Sequence, residues 1–269
     1  MTAPISVSVI IPAYNESARL GSGLDQVLNY LSQQTWASEI IVVDDGSTDG
    51  TAELVRQFAR QRCDGSVPLT LLSHGKNAGK GASVRTGVLH ARGSIVAFTD
   101  ADLSAPISEL PKLIGPIEKG VCDVVIGSRA LNRRLIGQRQ SRGREWAGRL
   151  FNWFMRLVIG LTFKDTQCGF KAFRRDAILP IFGQQQIHGF GFDVEVLFMA
   201  KRLGLRTVEM PVVWNHVEGS RVRMVRDSLK MAAELLKIRW YDLMGVYDRL
   251  ISTSETWVID SLTSEPMSR

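Results

Sequence analysis

The sequence predicts an α/β fold, a mostly parallel Rossmann-like sheet with helices on both faces. Three observations carry this. Short apolar runs rich in strand formers alternate with longer runs of helical periodicity. Each of the first four strand runs opens into a polar loop dense in Gly, Asn or Asp. At 269 residues, 45% hydrophobic and 22% charged, the chain suits one large α/β domain with a real core, or one with a helical appendage.

The elements follow in order. Val7 to Ile11 is a first strand, expected to stop at Pro12, because proline cannot continue a central ladder. Residues 17–32 place Leu20, Leu24, Val27, Leu28 and Leu31 on one helical stripe. Residues 39–43 form a second strand that runs into Asp44-Asp-Gly-Ser-Thr-Asp-Gly50, and residues 51–62 a helix. A third strand over 68–72 leads to the loop His74-Gly-Lys-Asn-Ala-Gly-Lys-Gly81 and a helix to about His90. A fourth, over 94–99, follows the stop signal Ala91-Arg-Gly93 and ends in Asp100-Ala-Asp102. A helix over 107–119 and a strand over 121–126 complete the β-α alternation. Right-handed crossovers then make the sheet mostly parallel.

Beyond Gly127-Ser-Arg129 the character changes. Arg133, Arg134, Arg139, Arg142, Arg144, Arg149 and Arg156 are opposed only by Glu145. Residues 146–161 read as an amphipathic helix, with Leu150, Trp153, Phe154, Leu157, Val158 and Leu161 at helical spacing. This helix is either ordinary core or an interfacial helix. A loop and strand over 165–173, a helix over 193–203, a strand over 206–213 and a long basic-apolar helix from 222 to about 246 follow. The expected organisation is a domain over 1–220 with a basic interface segment at 130–162, a C-terminal amphipathic helix at 221–250, and a frayed tail at 251–269.

Composition narrows the partners. The net charge of +6 favours an anionic partner. The arginines cluster beside an apolar helix rather than among spaced aromatics, so no nucleic-acid partner is expected. Cys63, Cys122 and Cys168 are scattered and odd in number, which speaks for a reducing compartment and against zinc. The four histidines lack ligand spacing. The N-terminus has no signal-peptide pattern, and no run of about 20 apolar residues predicts a spanning helix.

The motifs sit at strand ends. In a parallel sheet Pro12–Glu16, Asp44–Asp49, Gly75–Gly81 and Asp100–Asp102 emerge at one edge, where open α/β sheets bind ligands. Carboxylates at i and i+2 can converge on one hard cation, which in turn can hold a diphosphate. Alone, such a pair reads equally well as a solvated loop with an Asp capping the helix near Pro106. The glycine loop is one residue short of a P-loop, with Gly81 where Ser or Thr should hold magnesium. No G-x-G-x-x-G follows the first strand. An ATPase and a Rossmann dehydrogenase are thereby disfavoured. The loop is expected to help bind a nucleotide through backbone N–H groups at a helix start, with Lys80 in that set.

Pro12-Ala-Tyr-Asn-Glu16, Val43-Asp-Asp-Gly-Ser-Thr-Asp49, Asn77-Ala-Gly-Lys-Gly81 and Asp100-Ala-Asp102 together resemble family 2 of the glycosyltransferases, which have the GT-A fold. Gly127-Ser-Arg129, Asp165-Thr-Gln-Cys-Gly-Phe-Lys171 and Gly191-Phe-Asp-Val-Glu195 resemble its polyprenyl-phosphate branch. Within that branch the last two motifs are more similar to the dolichyl-phosphate β-glucosyltransferases than to the mannose synthases. The resemblance covers roughly residues 5–235 and implies roles by position. Pro12, Ala13, Tyr14, Glu16 and Asp44 would line base and ribose. Asp100 and Asp102 would sit around Mg²⁺ or Mn²⁺. Related mannose synthases often carry Gln where Ser104 stands, which leaves a third protein ligand open. Arg129 would meet phosphate, with Arg133, Arg142 and Arg221 as further candidates for the acceptor phosphate.

The implied reaction is inverting, metal-dependent transfer of a hexose to a polyprenyl phosphate at the cytoplasmic membrane face. Glucose from UDP-glucose is the first reading. GDP-mannose as donor, or a sugar hydroxyl as acceptor, is the alternative. A lipid phosphate is already ionised and needs no strong base; a hydroxyl would require one, from Asp193 or Glu195. The bland alternative for those two is a cap on the 193–203 helix. Asp102, Asp193 and Arg129 are the catalytic candidates. The partners implied are a nucleotide-sugar, a polyprenyl phosphate and a membrane surface, with a homo-oligomer left open.

Overall fold

The computed structural model describes residues 5–62, 66–131, 159–215 and 224–248. Its elements are β1 (Val7–Ala13), α1 (Leu20–Ser32), β2 (Ser38–Asp44), α2 (Thr51–Arg62), β3 (Leu69–Ser73), α3 (Lys80–His90), β4 (Ile95–Phe98), α4 (Leu110–Glu118, entered through a 3₁₀ turn at Ile107–Glu109) and β5 (Val124–Ser128). After the basic segment come β6 (Lys171–Arg174), α5 (Arg175–Gln184), α6 (Phe192–Arg202), β7 (Thr207–Pro211) and α7 (Met224–Leu243).

The strands form one sheet in the order β3-β2-β1-β4-β6-β5-β7. Every pairing is parallel except those of β6, which runs antiparallel to both β4 and β5. This inserted strand has a functional consequence. The parallel strands end at one edge; β6 begins there. Lys171 pairs with Phe98 on one side and Ile126 on the other, so the loop before it arrives at the ligand edge.

Alternation along the central strands builds two cores. Val7, Val9 and Ile11 of β1 face α1, α2 and α4, whereas Ile10 faces the opposite layer with Val84 and Val88 of α3 and with α5 and α6. The α1 stripe is buried as its spacing predicts: Leu20, Leu24, Val27, Leu28 and Leu31 all lie in the first core. Each such side chain contributes about 1.5–3 kcal/mol of burial, and truncating Leu24 to Ala should cost ~2–5 kcal/mol.

Two boundaries differ from expectation. The ladder of β1 with β4 ends at Ile10, but the ladder with β2 continues through Pro12 to Ala13. Pro12 therefore sits where one neighbour has already left, a place that tolerates a missing N–H. The fifth strand starts at Val124 rather than at Val121, which is 56% exposed. The candidate interfacial helix at 146–161 lies mostly outside the described residues; its last part, Ile159 and Leu161, is buried in the second core. The C-terminal helix has two characters. Leu235 and Ile238 are wholly buried, while Leu236, Trp240, Leu243 and the following Met244 are 57–77% exposed. Among the described residues no helix is long and apolar enough to cross a membrane.

Candidate active site

The first two strand-end loops are stitched into one surface. Asn15, at φ 54°, gives its N–H to Ser47 Oγ (2.8 Å), and its side-chain oxygen accepts from Thr48 N–H (2.8 Å). Glu16 N–H reaches Thr51 Oγ1 (2.8 Å), and Ser17 N–H reaches Asp49 Oδ2 (3.1 Å). These bonds set the Pro12–Glu16 loop beside Asp44. Asp44 is buried at the end of β2 and accepts from Ser47 N–H (3.3 Å), while Tyr14 stands 40% exposed at the rim. The Glu16 carboxylate is engaged by Arg19, whose second nitrogen lies 2.8 Å from it.

The glycine loop is held by Asp45. Its carboxylate accepts from Ala78 N–H (2.9 Å), Gly79 N–H (2.8 Å) and the His74 ring (Nδ1 2.7 Å). The first N–H groups of α3 are taken as well: Gly81 and Ala82 both donate to the His188 carbonyl (2.8 and 3.3 Å). Gly79 has φ 108°, and a Cβ there would overlap that same carbonyl. The N–H groups of Ala78, Gly79, Gly81 and Ala82 are thus taken by the protein rather than left for a phosphate. What the loop presents to the edge is the Lys80 ammonium.

Lys80 Nζ lies 2.5 Å from Asp100 Oδ1. The other Asp100 oxygen rests on Gly169, where any Cβ would overlap the carboxylate. Asp102 Oδ1 accepts from Ser104 N–H (3.0 Å), an Asx-turn bond within the loop. Behind this pair is a second, buried one. Lys171 Nζ donates to Asp193 Oδ1 (2.5 Å) and to the Cys168 carbonyl (2.7 Å), with the two side chains 1% and 6% exposed. Lys80 and Lys171 also sit 5.9 and 5.3 Å from the Phe98 ring centroid. Burial opposes the charge on Lys80, but Asp100 and Asp193 outweigh it and raise its pKa.

The two base candidates are accordingly not open to an acceptor. Asp193 is locked on Lys171. Glu195 is wholly buried and accepts from Gln186 N–H (2.9 Å), Ile187 N–H (2.8 Å) and the Tyr247 hydroxyl (2.7 Å). Neither caps α6, whose N-cap is Gly191 without a side-chain bond.

Arg129, one residue past β5, is gripped by Asp165. Its N–H (3.0 Å), Nε (2.7 Å) and terminal nitrogen (2.8 Å) all donate to that carboxylate, and its guanidinium lies 4.8 Å from the Trp214 ring centroid. Burial disfavours the charge, yet Asp165 outweighs it and the Arg129 pKa is raised. The rest of the guanidinium fork can still meet an anion. Arg133, Arg142 and Arg221 lie outside the described residues.

The edge thus brings together Pro12, Ala13, Tyr14, Glu16, Asp44, Lys80, Asp100, Asp102 and Arg129. Sequence reasoning missed their supports: Asn15, Asp45, Arg19, Asp165, Gly169 and Lys171. A hard divalent ion fits the donor set in one form. Mg²⁺-type sites take one or two carboxylates and fill the rest with substrate phosphate and water. Among the described residues no group of three or more His, Cys, Asp or Glu side chains converges, so an ion on Asp100 and Asp102 would fill its shell from substrate phosphate and water.

Comparison with known proteins identifies the family. Residues 8–182 match the family described as Glycosyl transferase family 2. The chain is 36% identical over 258 residues to a dolichyl-phosphate β-glucosyltransferase of Saccharomyces cerevisiae, covering 90% of this chain and 77% of that one. It is 33% identical over 256 residues to that of Homo sapiens, with the same coverage. Among solved structures, the fold is similar to glucosyl-3-phosphoglycerate synthase of Mycobacterium tuberculosis in complex with Mn²⁺ and UDP-glucose. That match has a TM-score of 0.64 and 22% identity, over 87% of this chain and 79% of that one. It is also similar to mannosyl-3-phosphoglycerate synthase of Rubrobacter xylanophilus, with a TM-score of 0.63 and 21% identity over 90% and 75% of the two chains.

Proposed function

The chain belongs to glycosyl transferase family 2, in its dolichyl-phosphate β-glucosyltransferase branch, and from that premise we propose that it transfers glucose from UDP-glucose to a polyprenyl phosphate. The observation that carries the reading is identity of 33–36% to such enzymes over nine-tenths of the chain, with the strand-end motifs gathered at one edge.

The roles are those the family resemblance implies, and the gathering of these residues at one sheet edge supports them. The joined Pro12–Glu16 and Asp44–Asp49 loops receive base and ribose. Asp102, with Asp100, would hold Mg²⁺ or Mn²⁺ together with the donor's diphosphate. When bound, that ion neutralises charge growing on the departing nucleoside diphosphate. Lys80 and Arg129 add positive charge near Asp100. A phosphate acceptor attacks the anomeric carbon as an anion and needs no base. Asp193 locked on Lys171 supports that acceptor class over a sugar hydroxyl. The exposed apolar face of Leu236, Trp240, Leu243 and Met244 supports work against a lipid surface, at its cytoplasmic side in this reading.

The test is a donor screen. Purified protein is given polyprenyl phosphate and Mn²⁺ with UDP-glucose, GDP-mannose or other nucleotide sugars, and the lipid product is weighed by mass spectrometry. A hexosyl-phospho-polyprenol from UDP-glucose is expected. Transfer only to a soluble sugar would overturn the acceptor, and product from GDP-mannose alone would overturn the donor.

A further inference from the structure

We infer that Lys80 is a positioning residue that occupies the ion's place on Asp100 until a donor diphosphate draws it away, so that ion and donor must load together. This rests on the reading of Asp100 and Asp102 as the ion-holding pair. The carboxylate that would share a divalent cation is already paired with a monovalent one, at 2.5 Å. Its other oxygen faces Gly169, where any Cβ would overlap it, so the carboxylate has no room to withdraw on that side. Gly169 is fixed in turn between Cys168 and Phe170, both fully buried. An ion that takes this place on Oδ1 must therefore displace the ammonium.

Lys80 has room to move and a reason. Its side chain is 18% exposed, and it starts α3 directly after Gly79, whose loop is pinned by Asp45. The backbone at that point stays put and only the flexible stem swings. Without a donor, leaving Asp100 would strip the ammonium of its short ion pair. With a donor, the diphosphate offers it stronger acceptors. An ion arriving alone must break the Lys80–Asp100 pair uncompensated. An ion arriving with a diphosphate exchanges that pair for a Lys80–phosphate pair. The expected result is weak ion binding to the free protein and strong coupling between ion and nucleotide.

The test measures Mn²⁺ binding to the full chain by calorimetry or electron paramagnetic resonance, with and without UDP, and requires no turnover. Lys80→Met keeps the stem on Phe98 and removes the charge. It should bind Mn²⁺ without UDP about tenfold tighter than the wild type, the scale of one charge-assisted hydrogen bond that no longer has to be broken. UDP should then tighten Mn²⁺ binding less than in the wild type. Lys80→Arg should restore weak Mn²⁺ binding. Equal or weaker Mn²⁺ binding by a folded Lys80→Met protein without UDP overturns the role of Lys80. Absence of Mn²⁺ binding in the wild type even with UDP overturns the ion reading of the carboxylate pair, and this inference with it.

Discussion

Asp165 holds Arg129 through backbone and side chain at once, with three donors on one carboxylate. The carboxylate is itself supported from behind, because its own N–H donates to Glu209 (2.9 Å). Arg129 is thus presented to the edge in one orientation. Asp165→Asn keeps the volume and removes the charge. Breaking a buried pair costs ~3–5 kcal/mol, but the Arg129 side chain is 29% exposed, so about 1–3 kcal/mol is expected here. Urea denaturation reads the stability, and kinetics should show reduced kcat/KM for the lipid phosphate. A stability loss with unchanged kinetics would make Arg129 a purely structural residue.

The Lys171–Asp193 pair is more deeply buried, and its cost is correspondingly larger. Lys171→Met or Asp193→Leu alone should destabilise the protein by ~3–5 kcal/mol, because each leaves a charge unpaired. The double variant should recover much of that loss, which a double-mutant cycle measures directly. Asp193→Asn should leave the pH profile of kcat unchanged. Loss of its basic limb with full stability would return Asp193 to the role of general base.

Most of the fold was legible because its elements repeat one local rule. The α1 stripe was read from its spacing and the 51–62 helix from the cap-rich turn before it. What was not legible came from pairing at a distance. Nothing in residues 165–173 says that their strand slots antiparallel between β4 and β5, yet that insertion carries Lys171 and Gly169 to the edge. The helix α5 was not read, although Ile178, Ile181 and Phe182 have helical spacing; Pro180 lies inside it. In the site, residues that face the ligand edge announced themselves as motif letters. Most of their supports, Asn15, Asp45, Asp165, Gly169 and Lys171, stand in the same motifs, but their supporting roles did not show. Asp45 resembles its neighbour Asp44 in sequence, and only the structure separates one that faces the edge from one that ties down the glycine loop.

Asp49 provides a pH-dependent reading of the joined loops. Slight burial favours its neutral form, but hydrogen bonds from Thr51 and Ser17 prevail and hold its pKa at about 2. A carboxylate depressed on folding stabilises the protein above its unfolded pKa, and that contribution fades as pH falls through the folded value. Asp49→Asn should therefore lower the urea midpoint at neutral pH, with the gap to wild type shrinking between about pH 4 and pH 2. A gap that stays constant over that range would show that the carboxylate charge is not what joins the loops.

Gly169 provides the sharpest link between backbone and chemistry. It lies in the segment leading into β6, with its Cα against the Asp100 carboxylate and no room for a methyl group. Its flanking side chains, Cys168 and Phe170, are fully buried, so the backbone cannot retreat. In Gly169→Ala the strain must fall on the softer partner, the Asp100 side chain, which would rotate away from Asp102. Stability should drop only modestly, by about 1–3 kcal/mol for an overpacked contact at a solvent edge. Transfer should suffer far more, on the order of 10²-fold, because a misplacement of about 1 Å at a reacting centre has that scale of effect. Mn²⁺-dependent UDP binding should weaken in parallel, while Gly115→Ala, where a Cβ meets nothing within 4 Å, should leave both unchanged. A Gly169→Ala protein that binds UDP and Mn²⁺ like the wild type would show that Asp100 does not need the position it holds here, and would leave Asp102 as the sole carboxylate of the ion site.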